Sequence, residues 1–169
     1  MRSLCRTTAL LAGCVLAARL GAEELACKTD LANKDGSSRG VELKLTLERG
    51  RPTAIVFASY YASGEEGGAY FCNFQASTAN RHSVWKDDAG HTAVTVLAGD
   101  KLDQDPTRES ELEIAKTKDG YKVTFVSMSR SYCGFGAEFP DDVSVIVGRK
   151  ACKVGFPSGA GYSPSAGPS

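Results

Sequence analysis

A strict alternation of apolar and polar side chains constrains the fold of this chain more than any other feature. Its clearest stretch reads Val-Glu-Leu-Lys-Leu-Thr-Leu-Glu over residues 41–48. Successive side chains of a β-strand point to opposite faces of the sheet, so this pattern predicts a half-buried strand with one wet face. Further short segments rich in β-branched and aromatic residues follow it. They are residues 51–61, 69–76, 83–87, 91–97, 111–117, 121–128, 143–147 and 151–154.

Turn-forming residues separate these segments, for example at 49–52, 87–90 and 118–120. The Asp-Gly pair of the last turn suits a tight hairpin, so neighbouring strands are predicted to be antiparallel. No long stretch after the first 22 residues has the 3.6-residue apolar period of a helix, although residues 26–33 fit either a helical turn or an opening strand. The prediction is an all-β fold, a small antiparallel sandwich or a meandering β-barrel of about eight to nine strands.

The N-terminus has the order of a secretory signal peptide, with a basic start, an apolar run over residues 7–18 and small residues before Glu23. The run is too short to span a bilayer. An alternative overlaps with it, because Leu11-Ala12-Gly13-Cys14 resembles a lipobox, in which the signal ends before Cys14 and that cysteine is acylated. Residues 1–22 are therefore predicted to be a signal peptide, with a lipoprotein signal as the alternative.

The rest of the chain is expected to form a single all-β domain over residues 23–154. Residues 155–169 are rich in Gly, Ser and Pro and are predicted to be a disordered tail. The expected location is periplasmic or secreted, or a lipid anchor in an envelope membrane if Cys14 is acylated.

Four cysteines remain after cleavage before Glu23. They are Cys27, Cys72, Cys133 and Cys152. An even number in an exported chain predicts two disulfides, and the spacings contain no CxxC or Cys/His cluster of the kind that holds zinc. Three pairings are open. We prefer Cys27 with Cys72 and Cys133 with Cys152, since each pair joins segments expected to be neighbours in a meander.

The charge distribution bears on the class of partner. Loss of Arg2, Arg6 and Arg19 leaves 17 basic residues against 20 acidic ones, and the basic residues are scattered. A nucleic-acid partner calls for clustered Lys and Arg, so none is expected. The expected partner is a protein or glycan in the periplasm or outside the cell, with a membrane contact only through an acylated Cys14.

Signals of catalysis and of metal binding are weak. His82 and His91 lie at predicted strand ends without a flanking motif for a general base, and no Gly-x-Ser-x-Gly elbow is present. The acidic loop over residues 99–110 does not have EF-hand spacing. We therefore expect no catalytic residue, metal or cofactor, and keep an envelope hydrolase using His82, Asp87 and His91 as an alternative.

Half of the aromatic residues gather between positions 57 and 85, around a Gly-rich acidic turn at 63–68. Consecutive aromatic residues in a strand point to opposite faces, so some of these rings are either exposed for binding or packed in a two-layer core. Exposed Tyr and Trp are favoured at protein interfaces. The predicted binding residues are Tyr60, Tyr61, Glu65, Glu66, Tyr70 and Trp85.

This arrangement resembles the bacterial periplasmic inhibitors of c-type lysozyme, which are small exported β-barrels. The comparable residues are Ser63-Gly64, Tyr70 and the segment 85–90. The chain departs from that pattern by inserting residues 65–69 and by replacing a Lys-Gly pair after the Trp, so the resemblance is an analogy. It implies an exported non-catalytic protein that neutralises a basic partner such as a lysozyme-like enzyme. A structural secreted or surface protein is the alternative.

Overall fold

The computed structural model describes residues 21–32, 36–63, 68–97, 109–134 and 137–156. In this part of the chain the regular elements are strands, apart from one short 3₁₀ helix at Arg130–Tyr132. The strands are β1 (Glu23–Ala32), β2 (Ser38–Glu48), β3 (Arg51–Ala62), β4 (Ala69–Ser77), β5 (Ser83–Asp88), β6 (His91–Val96), β7 (Ser110–Lys116), β8 (Gly120–Ser127), β9 (Asp142–Ile146) and β10 (Lys153–Gly155). The all-β prediction is confirmed, and the segment left open between helix and strand forms β1.

The strands form two antiparallel sheets. One has four strands in the order β1-β2-β3-β4, and the other has six in the order β10-β9-β8-β7-β6-β5. Each sheet is a meander, because consecutive strands are hydrogen-bonded neighbours throughout. The sheets do not close into a barrel, so the sandwich is the correct one of the two predicted architectures.

The core lies between the inner faces of the sheets. In the four-stranded sheet the register places Cys27, Leu43, Phe57 and Phe74 in one cross-strand row, and all four are at most 3 % exposed. The Phe57 ring lies 4.7 Å from that of Phe125 in β8, measured between centroids. Burying a side chain of this size contributes roughly 1.5–3 kcal/mol, so rows of this kind hold the two sheets together.

Two disulfides join the layers of the sandwich. Cys27 in β1 is bonded to Cys152, and Cys72 in β4 to Cys133, which follows the 3₁₀ helix. Disulfide formation by these four cysteines was predicted correctly, but the preferred pairing is wrong. Strands β1 and β4 are separated by two strands of the same sheet, about 14 Å at the usual strand spacing, which exceeds the reach of a disulfide.

The disulfides indicate that the chain folds in an oxidising compartment outside the cytoplasm. Among the described residues there is no helix long and apolar enough to cross a membrane. Strand β1 begins at Glu23, the first residue after the predicted cleavage site. Cys14 and nearly all of the predicted signal peptide lie outside the described residues, as does most of the predicted tail.

Candidate functional site

The outer side of β3 is apolar along its length. Side chains at alternate positions of β3 face away from the core, opposite to Ile55 and Phe57, which are both 1 % exposed. The outward residues are Ala54, Val56, Ala58, Tyr60 and Ala62. Val56 is 48 % exposed. Strand β3 therefore has apolar side chains on both faces, although one face of the strand is in contact with solvent.

Tyr60 lies across the outer surface of three strands. The register aligns Asp30, Gly40, Tyr60 and Phe71 in one row. A Cβ atom on Gly40 would overlap the Tyr60 ring, so glycine is what lets the ring lie flat on β2. The ring reaches β1, where its hydroxyl donates to Asp30 Oδ1 at 3.0 Å. This hydrogen bond to a carboxylate, assisted by burial, raises the pKa of Tyr60.

Phe71 extends this surface onto β4. Its ring centroid lies 6.5 Å from that of Tyr60, and its side chain is 52 % exposed. We call the five outward residues of β3 together with Phe71 the outer apolar stripe. Asn73 and Gln75 follow Phe71 on the outward side of β4, so amide groups border the stripe.

Charged pairs lie on the outer faces of both sheets. On the four-stranded sheet Lys28 pairs with Asp30 and Lys44 with Glu42, and on the six-stranded sheet His91 pairs with Glu113 and Lys122 with Asp142. The six-stranded sheet also exposes Val84 and Val126 on its outer side, but these lie in β5 and β8, which two other strands separate, whereas the stripe residues follow one another along β3. Single exposed apolar residues are common on protein surfaces, whereas a contiguous exposed apolar surface often marks an interaction site. The outer apolar stripe is therefore the candidate binding surface.

A second cluster lies on the inner side of the same end of the sheet. The register aligns Leu31, Arg39, Tyr61 and Tyr70 in one row across all four strands. The Tyr61 and Tyr70 rings are nearly parallel, at 14° and a centroid distance of 6.5 Å. The Arg39 guanidinium carbon lies 5.0 Å from the Tyr61 centroid and 5.3 Å from that of Phe156. We call Arg39, Tyr61, Tyr70 and Phe156 the arginine–aromatic cluster.

The structure brings Tyr60, Tyr61 and Tyr70 together at the β3–β4 hairpin, but on opposite faces. Trp85 is elsewhere. It is half-buried, its Nε1 donates to Ser83 Oγ at 3.0 Å, and it borders a polar cleft of about 670 Å³ beside Pro52. Pro52 and Tyr61 are separated by nearly the length of β3, about 30 Å at the usual rise per residue. Trp85 therefore does not share a surface with the tyrosines, and Glu65 and Glu66 lie outside the described residues.

The residues of the hydrolase alternative are separated. The His82 carbonyl accepts from Leu97 N at one end of the β5–β6 ladder, whereas His91 pairs with Asp88 at the other end, about 20 Å away. Asp87 accepts a hydrogen bond from the buried Thr92 hydroxyl, on the face opposite to His91. These three side chains do not form one site. The described residues also contain no group of three or more His, Cys, Asp or Glu side chains placed to hold a metal ion.

A cleft of about 720 Å³ lies beside the Cys133 segment. Phe125, Met128 and Phe139 contribute apolar side chains to it, and Arg130 and Glu138 are charged and exposed. Phe139 packs onto the four-stranded sheet, with its ring centroid 5.3 Å from that of Phe57.

Sequence reasoning missed Arg39, Val56 and Phe71 as site residues. The string Ala-Ile-Val-Phe-Ala at 54–58 is apolar at both strand parities, a signal that would have indicated the outer apolar stripe. Arg39 carries no such signal, since its aromatic contacts come from β3 and from the chain after β10. Comparison with protein-family models, with curated proteins and with solved structures finds no match to this chain.

Proposed function

We propose that this chain is an exported, non-catalytic binding protein of a bacterial envelope, and that its outer apolar stripe contacts a basic partner protein. It acts in the periplasm or outside the cell. If the signal is cleaved before Cys14 instead, the acylated Cys14 anchors it to an envelope membrane. The observation that supports a binding role most strongly is the stripe itself. Six apolar side chains form one continuous strip along β3 and onto β4, and Val56 and Phe71 are about half exposed.

The shape of the stripe suits a protein partner. It is a strip of side chains on a sheet face, and at its aromatic end the Tyr60 hydroxyl donates a hydrogen bond to Asp30. Rigid aromatic side chains lose little conformational entropy when a partner covers them, which favours their use as interface anchors. Two disulfides restrain the strands that carry these residues, β4 directly through Cys72 and the sheet edge through Cys27.

The charge balance supports a basic partner. The chain after residue 22 has 17 basic and 20 acidic residues, and the connection from β3 to β4 contains Glu65 and Glu66. Complementary charge at the rim of an interface raises the association rate and disfavours acidic partners. A lysozyme-like enzyme, which the sequence analogy suggests, is one protein of this class.

A binding measurement with a panel of basic proteins, c-type lysozyme among them, tests this function. Val56→Lys places a cation in the stripe, and Val126→Lys is the matched control, because Val126 is 54 % exposed on the outer side of the other sheet. Covering the exposed half of a valine contributes roughly 1 kcal/mol, and a cation facing a basic partner adds repulsion. Val56→Lys should therefore weaken binding about tenfold or more.

Equal affinities of the two variants for a bound partner would contradict the proposed surface. Saturable binding to none of the basic proteins would contradict the proposed partner class and favour the alternative of a structural secreted or surface protein. Turnover of substrate by the purified protein would contradict the non-catalytic assignment. Glu66→Lys should weaken capture as well, because it reverses a charge in the β3–β4 connection.

A further inference from the structure

The Arg39 guanidinium makes no hydrogen bond to any of the described residues. A guanidinium carries five N–H donors and no acceptor. Arg39 Nε is buried without a partner, and none of the ion pairs formed between described residues involves Arg39. Buried donors in folded proteins are almost always paired with an acceptor, from the protein, from water or from a ligand. The exception at Arg39 therefore calls for an acceptor that the described residues do not supply.

The aromatic neighbours hold this guanidinium in place. Its carbon lies over the Tyr61 ring at 5.0 Å and over the Phe156 ring at 5.3 Å, both within the range of a favourable cation–π contact. Cation–π contacts satisfy none of the guanidinium N–H donors, so the donors of Arg39 keep their capacity for hydrogen bonds. A planar fork of donors in a fixed orientation is the arrangement that recognises the two oxygens of a carboxylate or phosphate group.

We propose that the arginine–aromatic cluster is an oxyanion-binding site, in which the Arg39 N–H groups bind a carboxylate or phosphate group of a ligand. Tyr61 and Tyr70 form a nearly parallel pair beside Arg39 and provide an apolar surface for the part of the ligand attached to the anion. Because the chain has an excess of acidic residues after residue 22, attraction of the anion comes from Arg39 itself and weakens as salt concentration rises.

This site is separate from the outer apolar stripe. Tyr60 and Tyr61 are consecutive in β3, and so are Tyr70 and Phe71 in β4, so the two members of each pair point to opposite faces of the sheet. The oxyanion site therefore does not rest on the proposed partner, and a failure of one assignment leaves the other intact.

The test follows the Arg39 Nε–Hε signal by NMR in the full ¹⁵N-labelled exported protein. The signal is assigned by its loss in Arg39→Lys, which keeps the charge and most of the stem. Inorganic phosphate and acetate are titrated separately at constant ionic strength set with chloride. A saturable shift of the Arg39 signal in either titration supports the site, and the arm in which it occurs identifies phosphate or carboxylate as the preferred group.

Two variants separate the site from general effects. Arg149→Lys is the matched control, because Arg149 is exposed after β9, and it should leave the titration unchanged. Tyr61→Leu keeps Arg39 but removes one ring. It should lower the affinity for the anion several-fold, while the backbone amide spectrum remains that of the folded protein. An Arg39 signal in the wild-type protein that responds to neither anion, or that responds linearly without saturation, would overturn the proposal without depending on any variant.

Discussion

Gly40 and Tyr60 form an energetically coupled pair, and a double-mutant cycle measures this coupling. A Cβ atom added at Gly40 would overlap the Tyr60 ring in its wild-type position, so Gly40→Ala must displace the ring. The displaced ring loses its contact with Phe71 and its hydrogen bond to Asp30. An aromatic pair contributes about 0.5–1.5 kcal/mol, and an exposed hydrogen bond of this kind about 0.5 kcal/mol.

The same substitution has the opposite sign when the ring is absent. Glycine within a strand is less favourable than alanine by roughly 0.5–1 kcal/mol, because its unfolded chain has more conformational freedom. Gly40→Ala should therefore be neutral or destabilising by up to about 1.5 kcal/mol in the wild-type protein, and stabilising by about 0.5–1 kcal/mol in a Tyr60→Ala background. The coupling energy is the sum of the lost contacts, about 1–2 kcal/mol.

Equilibrium urea unfolding of the wild type, the two single variants and the double variant gives the four free energies required. Equal effects of Gly40→Ala in both backgrounds would refute the packing of Tyr60 on Gly40. A change in the slope of the unfolding transition would show instead that a variant alters the unfolded chain.

Two further predictions concern the disulfides and the alkaline stability. Replacing Cys27 and Cys152 by Ser opens a loop with a sequence separation of 125, so the free energy of unfolding should fall by about 5 kcal/mol. Peptide mapping without reduction should show the Cys27–Cys152 peptide in the wild type, and a Cys27–Cys72 peptide would contradict the fold. Burial, and then the charge of Glu23, raise the pKa of Tyr121, so the stability this residue contributes is present below pH 10 and is lost as pH rises through its folded-state pKa. Tyr121→Phe removes the hydrogen bond to Gly50 O and should lower the free energy of unfolding by about 1 kcal/mol at neutral pH, measured by urea unfolding. As the pH rises above 10, the variant should lose less stability than the wild type. An identical dependence of stability on pH in the two proteins would argue against a buried hydroxyl.

The alternation of apolar residues predicted most of the strands and the antiparallel class, because strand periodicity is a local property. It also separated the consecutive tyrosines onto opposite faces. The pairing of Cys27 depended on which strands share a sheet, a long-range property that alternation does not encode. The strands form two packed sheets and not one closed meander. Cys27 in the first sheet therefore lies beside Cys152, in the segment before β10, and far from Cys72.

The candidate site was predicted only in part, for a related reason. The sequence pattern identified the tyrosines near the β3–β4 hairpin as neighbours, because a hairpin keeps residues that are close in sequence close in space. Trp85 was grouped with them by sequence distance, but the chain passes from β4 to the other sheet before reaching it. Arg39 was missed because its aromatic neighbours lie on β3 and at the far end of the chain.

The binding role of the outer apolar stripe is tested most directly by one comparison, the affinity of Val56→Lys and of Val126→Lys for the same basic partner protein. The two valines have similar exposure on opposite sheets, so a general effect of added charge or of lost stability alters both variants alike. A tenfold or greater loss of affinity in Val56→Lys, with wild-type affinity in Val126→Lys, is the predicted result. Equal affinity of both variants and the wild type would contradict the role of the stripe.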